Sequence, residues 1–262
     1  MLPELFHFEL PELFNSLFSI KQITIYSYPF CILIACIIAY RFFIYAQNKC
    51  FGEIRLRLNF LFLLIFMAFI GGKLFLVFDN PMNYMSKVFT LVFYTSSGFV
   101  FYGSFISCLI SILIVLYKKQ LPIFKYLDII AIVTTILHCI GRLGCFFAGC
   151  CYGVPTDSFL GVHFANNHTT KVHPTQLYEA LFIGMLLICL LRTFKTKNNG
   201  TVFTIYIFSY ACWRFMLEYL RGDQRGYVFN DMLSQSQLIA LILILLFGTF
   251  LFVKNFIVKS TQ

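Results

Sequence analysis

The stretch from residue 138 to residue 153, HCIGRLGCFFAGCCYG, concentrates residue types that do chemistry inside an otherwise apolar context. Arg142 ends a long apolar run. A charged side chain at membrane depth costs about 2.5–3.5 kcal/mol on insertion scales, so Arg142 needs an acidic partner, a lipid phosphate or water. Cys145, Cys150 and Cys151 follow it, with His138 one helical turn before it. A thiol beside a guanidinium tends toward thiolate, and a thiolate can act as nucleophile, base or metal ligand. Cys145, Cys150, Cys151 and His138 offer the N/S donors that suit zinc, but CxxxxCC is not the spacing of paired zinc knuckles, so no metal and no cofactor is assigned. A disulfide is the other simple outcome on an oxidising side of a membrane. Glycines at 141, 144, 149 and 153 allow close backbone approach or turns.

Other polar residues interrupt apolar runs in the same way. Arg214 and Glu218, in WRFMLEYLRGD, are four apart and share a helix face. Glu179, in HPTQLYEA, opens a helix, where a carboxylate complements the helix dipole. Lys73 lies within GGKLFLVF and has length enough to snorkel. Asp128, just after Lys125, reads as a structural residue at a helix start. Arg142, Arg214, Lys73, Glu179 and Glu218 are expected to line one outward-opening cavity. Two arginines converging from different helices would clamp a phosphate through paired hydrogen bonds, and at a membrane the abundant phosphate is a phospholipid head group.

The elements that must position these residues are membrane helices. Hydrophobic residues make up 60% of the 262, charged residues 12%, and mean hydropathy is +0.82, which excludes an ordinary soluble domain. The formal charge of +9 lies in short clusters at the ends of apolar segments, and no basic run of the kind that tracks nucleic-acid phosphates is present. Seven apolar runs, roughly 23–47, 57–78, 99–117, 127–148, 177–193, 201–220 and 236–253, are each near the ~20 residues that cross a bilayer. Residues 1–20, with Phe, Leu and Glu interleaved and no basic n-region, are expected to form a short amphipathic surface helix and no cleavable signal. Cys31, Cys36, Cys108, Cys189 and Cys212 lie in apolar runs and read as small core hydrophobes.

Basic residues then orient the chain. With the N-terminus outside, twelve Lys/Arg (41, 49, 55, 57, 118, 119, 125, 192, 195, 197, 254 and 259) fall on the cytoplasmic side. Five (21, 87, 171, 221 and 225) fall outside. The expected architecture is an all-α polytopic membrane protein with seven transmembrane helices, N-terminus out and C-terminus cytoplasmic. It is read as one domain over 1–262, with a seven-helix core over 23–258. The outer loop 149–176, with His163, His168 and His173, then faces outward with the Arg142 stretch.

The motifs in order resemble those of the bacterial prolipoprotein diacylglyceryl transferases, from about Gly71 to Leu241. GGKLFLVF is similar to that family's Gly-Ala/Gly-Arg-Leu stretch, with Lys73 where arginine is usual. GRLGCFFAGCCYG resembles its Gly-Arg-x-Gly-Asn-Phe-x-Asn-Gly-Glu-x-Tyr-Gly signature. HPTQLYEA, WRFMLEYLRGD and MLSQSQLIAL resemble its remaining motifs. The resemblance implies transfer of diacylglycerol from a phosphatidylglycerol-like donor in the outer leaflet of the bacterial cytoplasmic membrane. The acceptor would be the cysteine thiol of a secreted precursor or a small thiol.

It further implies that Arg142 and Arg214 hold the donor phosphate and that Glu218 orients Arg214 or serves the acceptor. Lys73, Gly103, Gly144, Gly153, His173, Gln176, Tyr178, Glu179 and Arg221 would belong to the substrate-binding set. The chain departs from the family where Tyr102 replaces a histidine, Cys145 an asparagine and Cys150 a glutamate. A tyrosine with pKa near 10 is a poorer base at neutral pH. These departures keep two other readings open: a thiol- or metal-dependent redox, sulfur or acyl-transfer enzyme built on Cys145, Cys150 and Cys151, and a non-catalytic lipid-binding protein. The arginine reading predicts that alanine at 142 or 214 abolishes turnover and leaves the protein folded.

Overall fold

The computed structural model describes residues 4–9, 22–79, 81–84, 90, 101–164, 170–196, 199–222, 227–228 and 233–260. Each of the seven apolar runs holds a helix among the described residues, the first run opening on a strand over 23–26. The helices are α1 (Ser27–Phe51), α2 (Leu58–Asp79), α3 (Phe101–Lys118), α4 (Ile123–Ala148), α5 (Thr175–Thr196), α6 (Thr201–Leu217) and α7 (Gln235–Ser260). The segments Ser27–Phe51, Leu58–Val77, Ile123–Ala148 and Thr175–Lys195 are long and apolar enough to cross a bilayer. Gly103–Lys118 and Gln235–Thr249 are shorter apolar helices. Large side chains such as Phe62, Phe66, Leu181, Leu245 and Leu246 remain exposed, as a lipid-facing surface requires. The chain is therefore a helical membrane protein.

The N-terminal segment departs from expectation. Glu4–Glu9 and Gln22–Tyr26 are the antiparallel strands β1 and β2, with a bulge between Glu4 and Phe6. The interleaved Phe, Leu and Glu of ELFHFE fit a period of two as well as a helix face, and QITIY is rich in β-branched residues. Backbone pairing decided between them. The rest of the expected surface helix lies outside the described residues. Two-residue strands β3 (Tyr227–Val228) and β4 (Leu233–Ser234) pair just before α7.

The helices pack as two compact units, residues 1–43 with 127–262, and residues 44–126. In the second unit, α2 and α3 approach closely through small residues. A side chain at Gly71 would collide with Ser107, and one at Gly103 with Phe75 and the Gly71 carbonyl. Ser104 Oγ donates to the Ala68 carbonyl at 2.7 Å, and Cys108 Sγ to that of Leu64 at 3.4 Å. Buried Gln47 supplies the loop after α1 with the partners a strand would give. Its Nε2 donates to Leu56 O at 2.8 Å, while its Oε1 accepts from Leu56 N at 2.9 Å and Tyr126 OH at 3.2 Å.

In the first unit, Ala39, Ile132, Ile136, Leu190 and Val202 form a core between α1, α4, α5 and α6. Asp128, on α4, is buried and caps α6 from a distance: Gly200 N donates to Oδ2 at 2.7 Å and Phe203 N to Oδ1 at 2.8 Å. Two of the orphan donors of that helix are thus satisfied by a carboxylate 72 or more residues away. Asp128→Ala is expected to lower stability by about 1–2 kcal/mol, the range of a lost N-cap, whereas Asp128→Asn should retain part of it. Unfolding of both variants in detergent checks this; a parental midpoint for the alanine variant would refute it.

Candidate active site

The described residues of the loop between α4 and α5 are held by main-chain hydrogen bonds. Gly153 N donates to His173 O at 2.8 Å, Val154 N to Leu220 O at 3.0 Å, and His173 N to Val154 O at 3.1 Å. Residues 153–154 therefore lie between the entry to α5 and the end of α6. Any Cβ at Gly153 would overlap the Leu220 carbonyl, so the close approach itself requires glycine. Pro174, whose ring presets the backbone for helix entry, accepts from Leu177 N and Tyr178 N to start α5.

That entry places Glu179 one turn inside α5, with 1% of its surface exposed. Arg142 Nε of α4 donates to its Oε2 at 2.9 Å, and Tyr210 OH of α6 to its Oε1 at 3.0 Å. His138 Nε2 lies 3.1 Å from Oε1 and 3.4 Å from Arg142 Nε. One ring nitrogen cannot donate to the carboxylate and accept from the guanidinium together, so the shorter contact assigns the proton to Nε2 and directs it to Glu179. Glu179 thus joins three helices. The helix-dipole explanation offered by sequence misses this role, because the partners lie 37 and 31 residues away in the chain.

A second ion pair lies on α6 and the short 3-10 turn Glu218–Leu220. Arg214 Nη2 meets Glu218 Oε2 at 2.6 Å and donates to Ser236 Oγ at 3.3 Å. Ser234 Oγ donates to Glu218 Oε1 at 2.8 Å and accepts from Gln237 N at 3.1 Å, while Gln237 Oε1 accepts from Ser234 N at 3.0 Å. Ser234 and Gln237 are a reciprocal cap on α7, and the same serine orients Glu218. The S-x-x-Q spacing before an apolar run could have shown this cap in the sequence.

Arg142, Arg214 and buried Arg221 stand against Glu179 and Glu218, which leaves this region with more guanidinium than carboxylate charge among the described residues. Arg214 Nη1 and Gln176 Oε1 are buried without hydrogen-bond partners among the described residues. A buried donor in that condition is a ready contact for an anionic oxygen.

Cys145, Cys150 and Cys151 converge here as well, all three Sγ atoms lying within 4.8 Å of one another. α4 stops at Ala148 because Gly149 takes the left-handed φ of 71°, and Cys151 repeats that conformation at φ 63°, so the chain folds the two later cysteines back toward Cys145. Hydrogen bonds from the Cys145 and Cys150 thiols, then the charges of Arg142 and Arg221, hold the Cys151 thiol well below the usual thiol range. All three are free cysteines. His138 is not in this group, being engaged with Glu179.

The other expected residues fall as follows. Gln176 Nε2 donates to Cys150 O, and His173 Nδ1 lies 3.2 Å from Tyr178 OH. A side chain at Gly144 would meet Cys31 and Tyr28 of α1, so that glycine is accounted for by packing. Lys73, on α2, and Gly103, on α3, belong to the 44–126 unit, where Lys73 is buried. Tyr102 falls in the first turn of α3, and its side chain lies outside the described residues, as do His168 and Arg225.

Fold and geometry define a class: a helical membrane protein with half-buried, ion-paired arginines on α4 and α6 at the ends of its apolar helices. The family model described as prolipoprotein diacylglyceryl transferase matches residues 15–253. The phosphatidylglycerol–prolipoprotein diacylglyceryl transferase of Clostridium tetani (strain Massachusetts / E88) is 37% identical over 188 residues, covering 70% of this chain and 74% of the relative. The corresponding transferase 2 of Clostridium perfringens (strain 13 / Type A) is 30% identical over 243 residues, covering 88% and 91%. That of Rickettsia bellii (strain OSU 85-389) is 32% identical over 194 residues, covering 71% and 73%. The chain belongs to the prolipoprotein diacylglyceryl transferase family.

Proposed function

We propose that this chain is a transferase that moves the diacylglyceryl group of phosphatidylglycerol onto the cysteine thiol of a prolipoprotein. It would do so in the outer leaflet of the bacterial cytoplasmic membrane, from a seven-span chain with its N-terminus outside. The acceptor sulfur attacks the glycerol carbon that carries the phosphate, the carbon–oxygen bond breaks, and glycerol phosphate leaves. Negative charge grows on the departing phosphate, so the step is accelerated by donors placed before it develops. Arg214, with Nη1 uncommitted and Nη2 fixed by Glu218, is suited to that phosphate, and Arg142 to a second oxygen from across the site. Glu179 and Glu218 position the arginines; Arg221, His173, Gln176 and Tyr178 line the approach from the loop.

The single observation that supports this reading best is the half-buried arginine–carboxylate array on α4, α5 and α6 in a chain of this family. The test uses purified protein in proteoliposomes with a synthetic peptide carrying the acceptor cysteine. Thioether-linked diacylglyceryl peptide, seen by mass spectrometry, is expected with phosphatidylglycerol. Absence of that product from folded protein with every phospholipid offered would overturn the assignment.

A further inference from the structure

We propose that Cys145, Cys150 and Cys151 form a three-thiolate site for a zinc ion, whose fourth position takes the acceptor thiol. The second half of this proposal rests on the transferase reading above; the metal site itself does not.

The three Sγ atoms already lie within 4.8 Å of one another. Zinc–sulfur bonds of about 2.3 Å in tetrahedral geometry put sulfurs about 3.8 Å apart, so the cradle needs to contract by roughly 1 Å or less. Packing of small apolar residues does not account for this arrangement. Cys151 holds a left-handed backbone that non-glycine residues rarely adopt, and Cys150 is exposed. The turn is also anchored from outside: Thr175 Oγ1 donates to Cys151 O at 3.0 Å, Gln176 Nε2 to Cys150 O, and Cys150 N to Cys145 O at 3.1 Å.

Among the described residues no fourth ligand joins the group, since His138 Nε2 is directed to Glu179 and Cys139 Sγ donates to Ala180 O at 3.4 Å. Three protein ligands with an open position are the arrangement of reactive zinc centres, whereas structural sites are closed. Cys150 is exposed, so a ligand can reach the group.

An acceptor thiol taking that position releases its proton to solvent and is held as thiolate, the nucleophilic form. Its sulfur lone pair forms the new carbon–sulfur bond as the carbon–oxygen bond to the phosphate breaks. The electron pair of that bond leaves on glycerol phosphate, and no group changes oxidation state. The product thioether is a weaker ligand and departs.

The experiment loads cobalt(II) alone into detergent-purified, chelator-stripped protein kept reduced with a phosphine. Expected are sulfur-to-cobalt charge-transfer absorption and intense tetrahedral ligand-field bands, saturating at one equivalent, displaced by zinc, and altered by a cysteine-containing peptide. The bands should be lost in the Cys145→Ser/Cys150→Ser/Cys151→Ser variant and kept in Cys189→Ser, an exposed control elsewhere on α5. Should the triple variant misfold, the single variants Cys150→Ser and Cys151→Ser serve, each shifting the bands to fewer sulfur ligands. Reduced parent protein with no such bands, or bands that persist in the triple variant, overturns the metal site. Transfer activity that survives chelation without cobalt binding sinks this inference and spares the transferase reading; cobalt binding without any thioether product does the reverse.

Discussion

Glu179→Ala is expected to destabilise the protein by about 3–5 kcal/mol, the cost of removing one partner from a buried ion pair. The carboxylate is almost fully buried and receives Arg142, His138 and Tyr210. Its removal strands a guanidinium and two further donors. Glu179→Gln keeps the shape and one acceptor oxygen for Tyr210, so it should fall between parent and alanine. Unfolding midpoints in a single detergent, with circular dichroism as the check on helix content, measure the series. A Glu179→Ala protein within about 0.5 kcal/mol of the parent, the usual bound for a surface change, would mean that the carboxylate is not the hub its contacts describe. The same argument revises the sequence-based expectation for Arg142. Alanine there leaves Glu179 buried without its guanidinium partner, so loss of activity and loss of stability arrive together. Arg142→Ala is thus a poor probe of chemistry.

Arg214 is the cleaner probe. Arg214→Ala should reduce phosphatidylglycerol-dependent transfer about 10²–10³-fold, the usual effect of deleting one preorganised donor to a developing charge. The fold should survive better than in the Glu179 variant. Glu218 keeps its hydrogen bond from Ser234, and Arg214 gives up its pairing with Glu218, four residues along its own helix end, and a single long hydrogen bond to Ser236. The loss should fall mainly on kcat, because the contact strengthens as the phosphate leaves. Arg214→Lys should recover little. A single ammonium cannot meet Glu218, Ser236 and a phosphate oxygen in the fixed directions that Nη1 and Nη2 provide. Full activity in the lysine variant would show that only a point charge is needed there, and the proposed phosphate clamp would have to be abandoned.

What the sequence by itself determined is the set of elements and the demand for partners. Runs of apolar residues near the thickness of a bilayer have only one way to satisfy their backbone, so α1 to α7 were legible from hydropathy. Arg142 and Arg214, placed in such runs, had to be compensated, and the four-residue step to Glu218 was visible because it lies on one helix face. Period could not separate helix from strand in residues 4–9, where two templates fit equally and pairing with Gln22–Tyr26 decided. The identity of distant partners was hidden for a different reason. That Glu179 answers Arg142, that Asp128 caps α6, and that Ser234 aims Glu218 depends on which faces of which helices meet. The cysteines show the same limit within one short stretch. CxxxxCC along a continuing helix would spread its sulfurs around the axis, and only the left-handed turns at Gly149 and Cys151, pinned by Thr175 and Gln176 from the next helix, bring all three together.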